Sequence, residues 1–207
     1  IRVENGKAIS KVFGKKRVEA ISICEHKDSG KGNEKIACDC IAMSGGWSPV
    51  VHLYSHCGGK LKWDEKMALF KPDSSAKPTS HDGLPFVTAV GSANGFLLMQ
   101  EVLKDAREGC LEVVESSGGK VKKESFKLIE QEYENSLEAI WIAPQDADIK
   151  KRSKIWLDFQ NDVKINDVEL AAREGFESVE HTKRYTTLGM ATDQGKLSNI
   201  NGLAILS

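Results

Sequence analysis

The stretch His181-Thr-Lys-Arg-Tyr-Thr-Thr-Leu-Gly-Met-Ala-Thr-Asp-Gln-Gly-Lys-Leu-Ser-Asn199 decides how this chain is read. It is polar, with cations at Lys183, Arg184 and Lys196, four threonines, and turn chemistry at Gly189 and Gly195. A helical hairpin precedes it. Asn166-Asp-Val-Glu169 reads as a capping box, in which Asn166 caps the first turn and Glu169 reaches back. That helix should stop at Gly175. Ser178 caps the next one, with Val179, Thr182 and Tyr185 on one face. Upstream, residues 139–143 (AIWIA) and 155–159 (IWLDF) read as short strands or extended segments.

Working outward, the first half alternates strands and helices. Residues 8–13 and 17–24 form a hairpin pattern around Gly14-Lys-Lys. Residues 25–34 are a polar loop, and 35–43 (KIACDCIAM) suit a buried parallel strand. Ser44-Gly-Gly-Trp-Ser-Pro49 is a turn that opens a short helix ended by Gly58-Gly59; Trp47 reads equally well as a packing anchor. After a loop at 72–83, residues 84–90 read as a strand. Gly91-Ser-Ala-Asn-Gly95 then turns into an amphipathic helix over 96–108, stopped by Gly109, and 110–117 adds a turn or two. Residues 120–136 are charged and read as a connector. The expected fold class is α/β: a partial dinucleotide-binding, Rossmann-like domain over 1–109, a connector over 110–150, and a small, mainly helical domain over 151–207.

Bulk properties remove several function classes. Of 207 residues, 40% are hydrophobic and 29% charged, which is ordinary globular composition. A formal net charge of −1 gives nucleic acid no long-range attraction. The sequence has no apolar run of membrane-spanning length and no visible signal peptide. A start at Ile1 suits a segment inside a larger reading frame. The five cysteines are odd in number and sit mostly in apolar runs, which suggests buried thiols and a reducing cytosol.

Few motifs carry chemistry. A strand-to-helix turn such as Gly91–Gly95 offers backbone amides and a positive helix end to a phosphate, but a plain turn has the same spacing. Cys38-x-Cys40 has no second pair to complete a metal site. His52 and His56 stand at helical spacing without a carboxylate or an HExxH pattern, so they read as helix surface. Lys183-Arg184-Tyr185-Thr186-Thr187 offers cations and hydroxyls to a phosphate or a partner, or is a solvated helix end.

The string Thr-Thr-Leu-Gly-Met-Ala-Thr-Asp-Gln-Gly-Lys, residues 186–196, resembles the central segment of sarcosine oxidase alpha subunits. The region from Ile155 is similar to the helical [2Fe-2S] domain of the bacterioferritin-associated ferredoxin type. That domain needs a C-x-C pair and a C-x4-C pair. The pairs fall on Asp158 and Gln160, then on Asp193 and Ser198, and none is Cys. Oxygen side chains do not replace thiolates there, so the resemblance implies no iron-sulfur cluster. The run Leu-Pro-Phe-Val-Thr-Ala-Val-Gly, residues 84–91, resembles the last strand of two-dinucleotide-fold reductases, with Ser92 where those carry Asp. It implies NAD at Gly91, Ser92, Ala93, Asn94 and Gly95 and at the first helical turn, Leu97 and Met99. The resemblance implies a cytoplasmic complex with beta, gamma and delta subunits, carrying FAD, FMN and tetrahydrofolate, that demethylates sarcosine to glycine. Lys183, Arg184, Thr186 and Thr187 would then face the flavin-bearing beta subunit. No catalytic residue is expected in this segment. Two alternatives are a dye-linked proline dehydrogenase alpha subunit, which usually keeps the cysteines, and a non-catalytic interaction module.

Overall fold

A computed structural model describes residues 2–32, 34–121 and 138–207. In chain order the elements are β1 (Lys7–Phe13), β2 (Ala20–Glu25), β3 (Glu34–Ala37), α1 (His52–His56), β4 (Leu61–Asp64), β5 (Leu69–Pro72), α2 (Met99–Ser116), α3 (Ile149–Arg152), β6 (Trp156–Asp158), β7 (Val163–Lys164), α4 (Ile165–Arg173), α5 (Val179–Thr186) and α6 (Asn199–Leu206). A 3-10 turn at Gly91–Asn94 precedes α2. Contacts divide the chain into two compact units, one of residues 1–43 with 140–207 and one of 44–139. The fold is mixed α/β. Every strand pairing among the described residues is antiparallel.

In the first unit, the expected hairpin forms with Phe13 opposite Ala20 and Lys7 opposite Glu25. The run at 35–43 departs from expectation. It gives the short β3, which pairs antiparallel with β2. Cys38 and Cys40 lie beyond it, half-buried and exposed, and only Cys24 of the five thiols is buried. Burial, with Asp28 nearby, pushes the Cys24 thiol up. Residues 26–30 are tied to the C-terminal part: Gln145 N–H donates to the His26 carbonyl at 2.7 Å, and Lys151 Nζ donates to the Ser29 carbonyl at 2.8 Å.

The helical part encloses a core of Leu157, Val163, Ile165, Val168 and Leu188. Each such side chain contributes roughly 1.5–3 kcal/mol on burial. Asp167, not Asn166, caps α4, because Lys164 N–H donates to Asp167 Oδ2 at 2.8 Å. At the other end Gly175 has φ 91°, and the Gly175 and Phe176 amides return to the Ala172 and Ala171 carbonyls in a Schellman motif. Ser178 takes the N-cap position of α5 without a side-chain cap bond, and Thr182 is buried, its hydroxyl donating to the Phe176 carbonyl. Gly202 on α6 has no side chain where Leu188 packs.

In the second unit, β4 and β5 form a hairpin with Trp63 edge-on to Phe70 at 5.0 Å. Lys71 Nζ donates to Asp64 at 2.5 Å, and Asp64 also accepts from the turn amides of Lys66 and Met67. Tyr54 of α1 is buried and donates to the Asp73 carbonyl. Apart from a bridge between Thr79 and Pro85, residues 84–90 have no strand partner among the described residues. Gly109 does not stop the helix. α2 runs through it to Ser116, and a Cβ there would collide with Val90. That glycine serves helix-to-loop packing. The expected connector at 120–136 lies almost wholly outside the described residues. No described helix is long and apolar enough to cross a membrane.

Candidate functional site

The two places singled out in the sequence each lie within one unit. In the second unit, Gly91, Ser92, Ala93 and Asn94 make the 3-10 turn and Gly95 follows with φ 96°. The chain is still extended at Leu98, so α2 starts at Met99 rather than at 96. The Gly91 N–H is already engaged: it donates to Asp105 Oδ2 at 2.6 Å, and Asn94 Nδ2 lies 3.3 Å from both Asp105 oxygens. A carboxyl thus sits where an anion would take that amide. Packing accounts for the glycines. Both have positive φ, and a Cβ would press on Val102 at Gly91 and on Lys71 at Gly95. A cavity of about 240 Å³ adjoins the turn, lined by Asp105, Glu108 and Glu112 beside Lys77 and Tyr54. That acidic lining repels a pyrophosphate. A phosphate does not fit at the Gly91 amide in this arrangement. Ser92 and Met99 are exposed, and Ala93 and Leu97 half-buried.

In the first unit, three of the four positions of the ferredoxin pattern, Asp158, Gln160 and Asp193, are joined by hydrogen bonds, while the buried Ser198 hydroxyl has no hydrogen-bond partner among the described residues. Asp158 is 3% exposed. Its Oδ2 accepts from the Gly189 amide at 2.9 Å, and its Oδ1 accepts from the amides of Gln160 and Asn161. The Gln160 side chain hydrogen-bonds Asp193. Burial works against the Asp193 charge, but the Leu197 and Gly195 amides and Gln160 together hold that carboxyl below its usual range. Ser198 is buried at the start of α6. No group of three or more His, Cys, Asp or Glu suited to a metal occurs among the described residues. An iron-sulfur cluster does not fit this donor set.

Beside the network, α5 ends at Thr187, which has φ 63°. Asn161 Nδ2 donates to the Thr187 carbonyl at 2.8 Å. The Thr186 hydroxyl donates to the Thr182 carbonyl and that of Thr187 to the Thr186 carbonyl. Both hydroxyls are engaged with backbone carbonyls, which leaves Lys183 and Arg184 as the charged donors for an outside anion. Arg184 is exposed and Lys183 half-buried. Sequence reasoning missed Asp105, which on a charged helix carries no signal apart from ordinary solvation.

A family model described as the sarcosine oxidase A3 domain matches residues 152–207. Sarcosine oxidase subunit alpha of Rhizobium meliloti (strain 1021) is 38% identical over 199 residues, covering 95% of this chain and 18% of that protein. Nearly the whole chain is thus similar to sarcosine oxidase alpha subunits, and residues 152–207 match their A3 domain. Subunit alpha of Corynebacterium sp. (strain U-96) is 30% identical over 186 residues, covering 88% of this chain and 18% of its own length. The chain thus spans less than a fifth of the length of these alpha subunits. A crystal structure of L-proline dehydrogenase from P. horikoshii shares the fold, with a TM-score of 0.69 over 97% of this chain and 38% of that one at 19% identity. The network of Asp158, Gln160 and Asp193, together with Ser198, Lys183 and Arg184, falls inside the A3 match.

Proposed function

We propose that this chain is a binding and docking segment of a sarcosine oxidase alpha subunit, and that it holds no catalytic residue. The 38% identity to a named alpha subunit across 95% of the chain carries this reading. The assembly would convert sarcosine to glycine with tetrahydrofolate as one-carbon acceptor, and FAD and FMN would supply its redox chemistry. Residues 1–109 and 151–207 would be the remnant of a dinucleotide-binding domain and a cluster-free ferredoxin-like domain joined by 110–150. Ser92, Leu97 and Met99 would touch NAD; the engaged Gly91 amide would not take its pyrophosphate. Lys183 and Arg184 would face the beta subunit and the FMN phosphate, where a charge-assisted contact contributes about 1.5–3 kcal/mol. Gamma and delta subunits would complete a cytoplasmic complex.

The proline dehydrogenase alternative has a shared fold behind it. Anaerobic reduction of the flavin or of an added dye by the co-expressed complex, with sarcosine and with proline as donors, decides between them. Turnover of sarcosine alone is expected. Turnover of proline alone would overturn the reading. Mass spectrometry of small molecules released from the same complex should find NAD.

A further inference from the structure

Three asparagines stand directly before a glycine: Asn5-Gly6, Asn94-Gly95 and Asn201-Gly202. This dipeptide carries a reaction of its own. A glycine amide nitrogen has no neighbouring Cβ to shield it, and it can attack the side-chain carbonyl carbon of the preceding Asn. The attack needs an amide free of hydrogen bonds and a side chain able to turn toward it. The fold treats the three pairs differently. At Asn94, Nδ2 lies 3.3 Å from both Asp105 oxygens, and the Gly95 amide donates to the Ser92 carbonyl at 3.2 Å. At Asn201, Nδ2 donates to the Leu197 carbonyl at 3.2 Å, and the Gly202 amide, inside α6, donates to the Ser198 carbonyl at 2.9 Å. Asn5 and Gly6 form an exposed turn ahead of β1. Among the described residues, no hydrogen bond holds the Asn5 side chain or the Gly6 N–H.

We propose that Asn5 is a site of spontaneous deamidation, and that the fold protects Asn94 and Asn201 from the same reaction. The Gly6 nitrogen bonds to Asn5 Cγ and gives up its proton. The Cγ–Nδ2 bond breaks, and Nδ2 leaves as ammonia with that proton. Water then opens the five-membered imide, at Cγ to give aspartate or at the backbone carbonyl carbon to give isoaspartate. Water is the only co-reactant, and no electrons change hands. Either product adds a carboxylate next to Glu4, which shares Arg2 with Glu34. Isoaspartate also inserts one carbon into the main chain just ahead of Gly6. The Gly6 carbonyl accepts from the His26 amide at 2.9 Å and lies 3.0 Å from His26 Nδ1, and the His26 carbonyl accepts from Gln145. The modification thus reaches the strand end that ties residues 26–30 to the C-terminal part.

The test is peptide mapping of the full complex by mass spectrometry after incubation in mildly alkaline buffer, with isoaspartate measured by enzymatic methylation. Asn5 should convert roughly tenfold faster than Asn94 or Asn201, since two hydrogen bonds must open at each of those before attack. In mildly acidic buffer the conversion should slow, because the attacking amide must lose its proton. In the chain unfolded in urea the three rates should come together. Asn5 unchanged in the native complex, or converting no faster than the other two, would overturn the proposal. So would the native order of rates persisting in urea, which would place the selection in the neighbouring sequence rather than in the fold.

Discussion

Asp158 shows how one buried carboxyl can organise several loops. Its carboxyl oxygens gather three backbone amides, one of them from Gly189, across the loops of the helical part. Asp158→Ala leaves those donors without that acceptor and should cost about 2–3 kcal/mol in urea unfolding. Asp105 does the same for the 3-10 turn, so Asp105→Ala should destabilise the protein by about 1–3 kcal/mol. If phosphate bound at the Gly91 amide, Asp105→Asn would raise NAD retention; unchanged retention is expected. Arg184→Ala should leave unfolding within about 0.5 kcal/mol of the parent, since an exposed cation contributes little. In the complex the same variant should hold its flavin or partners roughly tenfold more weakly. Normal assembly with a large stability loss would make Arg184 a structural residue. The sequence brought out Asp158, Gln160, Asp193 and Ser198, because a spacing pattern pointed at them. It did not bring out Asp105, because a helical acid gives no sign of which turn it will cap.

At the scale of elements, the hairpin around Gly14 and the helical pair from Ile165 to Thr186 were legible. Their turn glycines and amphipathic periods act locally. Caps and stops were less so. Asp167 outcompetes Asn166 as cap, and Gly109 is a packing notch inside α2. Residues 84–90 have strand composition, but strands need neighbours, which composition cannot count. Leu188 on Gly202 closes the helical core, and Leu188→Ala should cost about 2–5 kcal/mol in a melting curve. The β4–β5 hairpin carries a pH signature. The Lys71 hydrogen bond, helped by turn amides, holds Asp64 below its usual range. A carboxyl lowered on folding stabilises fully above its unfolded value of about 4, and that stability is lost as pH falls through the lower folded value. Tm measured from pH 6 down to 2 should therefore fall less steeply for Asp64→Asn than for the parent.

Across the whole molecule, the pairing of residues 1–43 with 140–207 had no sequence signal. It rests on contacts to backbone carbonyls, from the Gln145 amide to His26 and from Lys151 Nζ to Ser29, and a carbonyl is present at every position, so no residue type marks the acceptor. The family, by contrast, was legible from the string around Thr186–Lys196. In that string the amides of Gly189, Gly195 and Leu197 are directed at the carboxyls of Asp158 and Asp193. The A3 region holds its loops by hydrogen bonds, and under the proposed function it serves binding rather than electron relay. Iron and acid-labile sulfide, with a visible spectrum, measured on the complex purified anaerobically with both supplied, test it most directly. Flavin absorption without stoichiometric iron is the predicted result; about two irons per alpha subunit with sulfur-to-iron charge-transfer bands would contradict it.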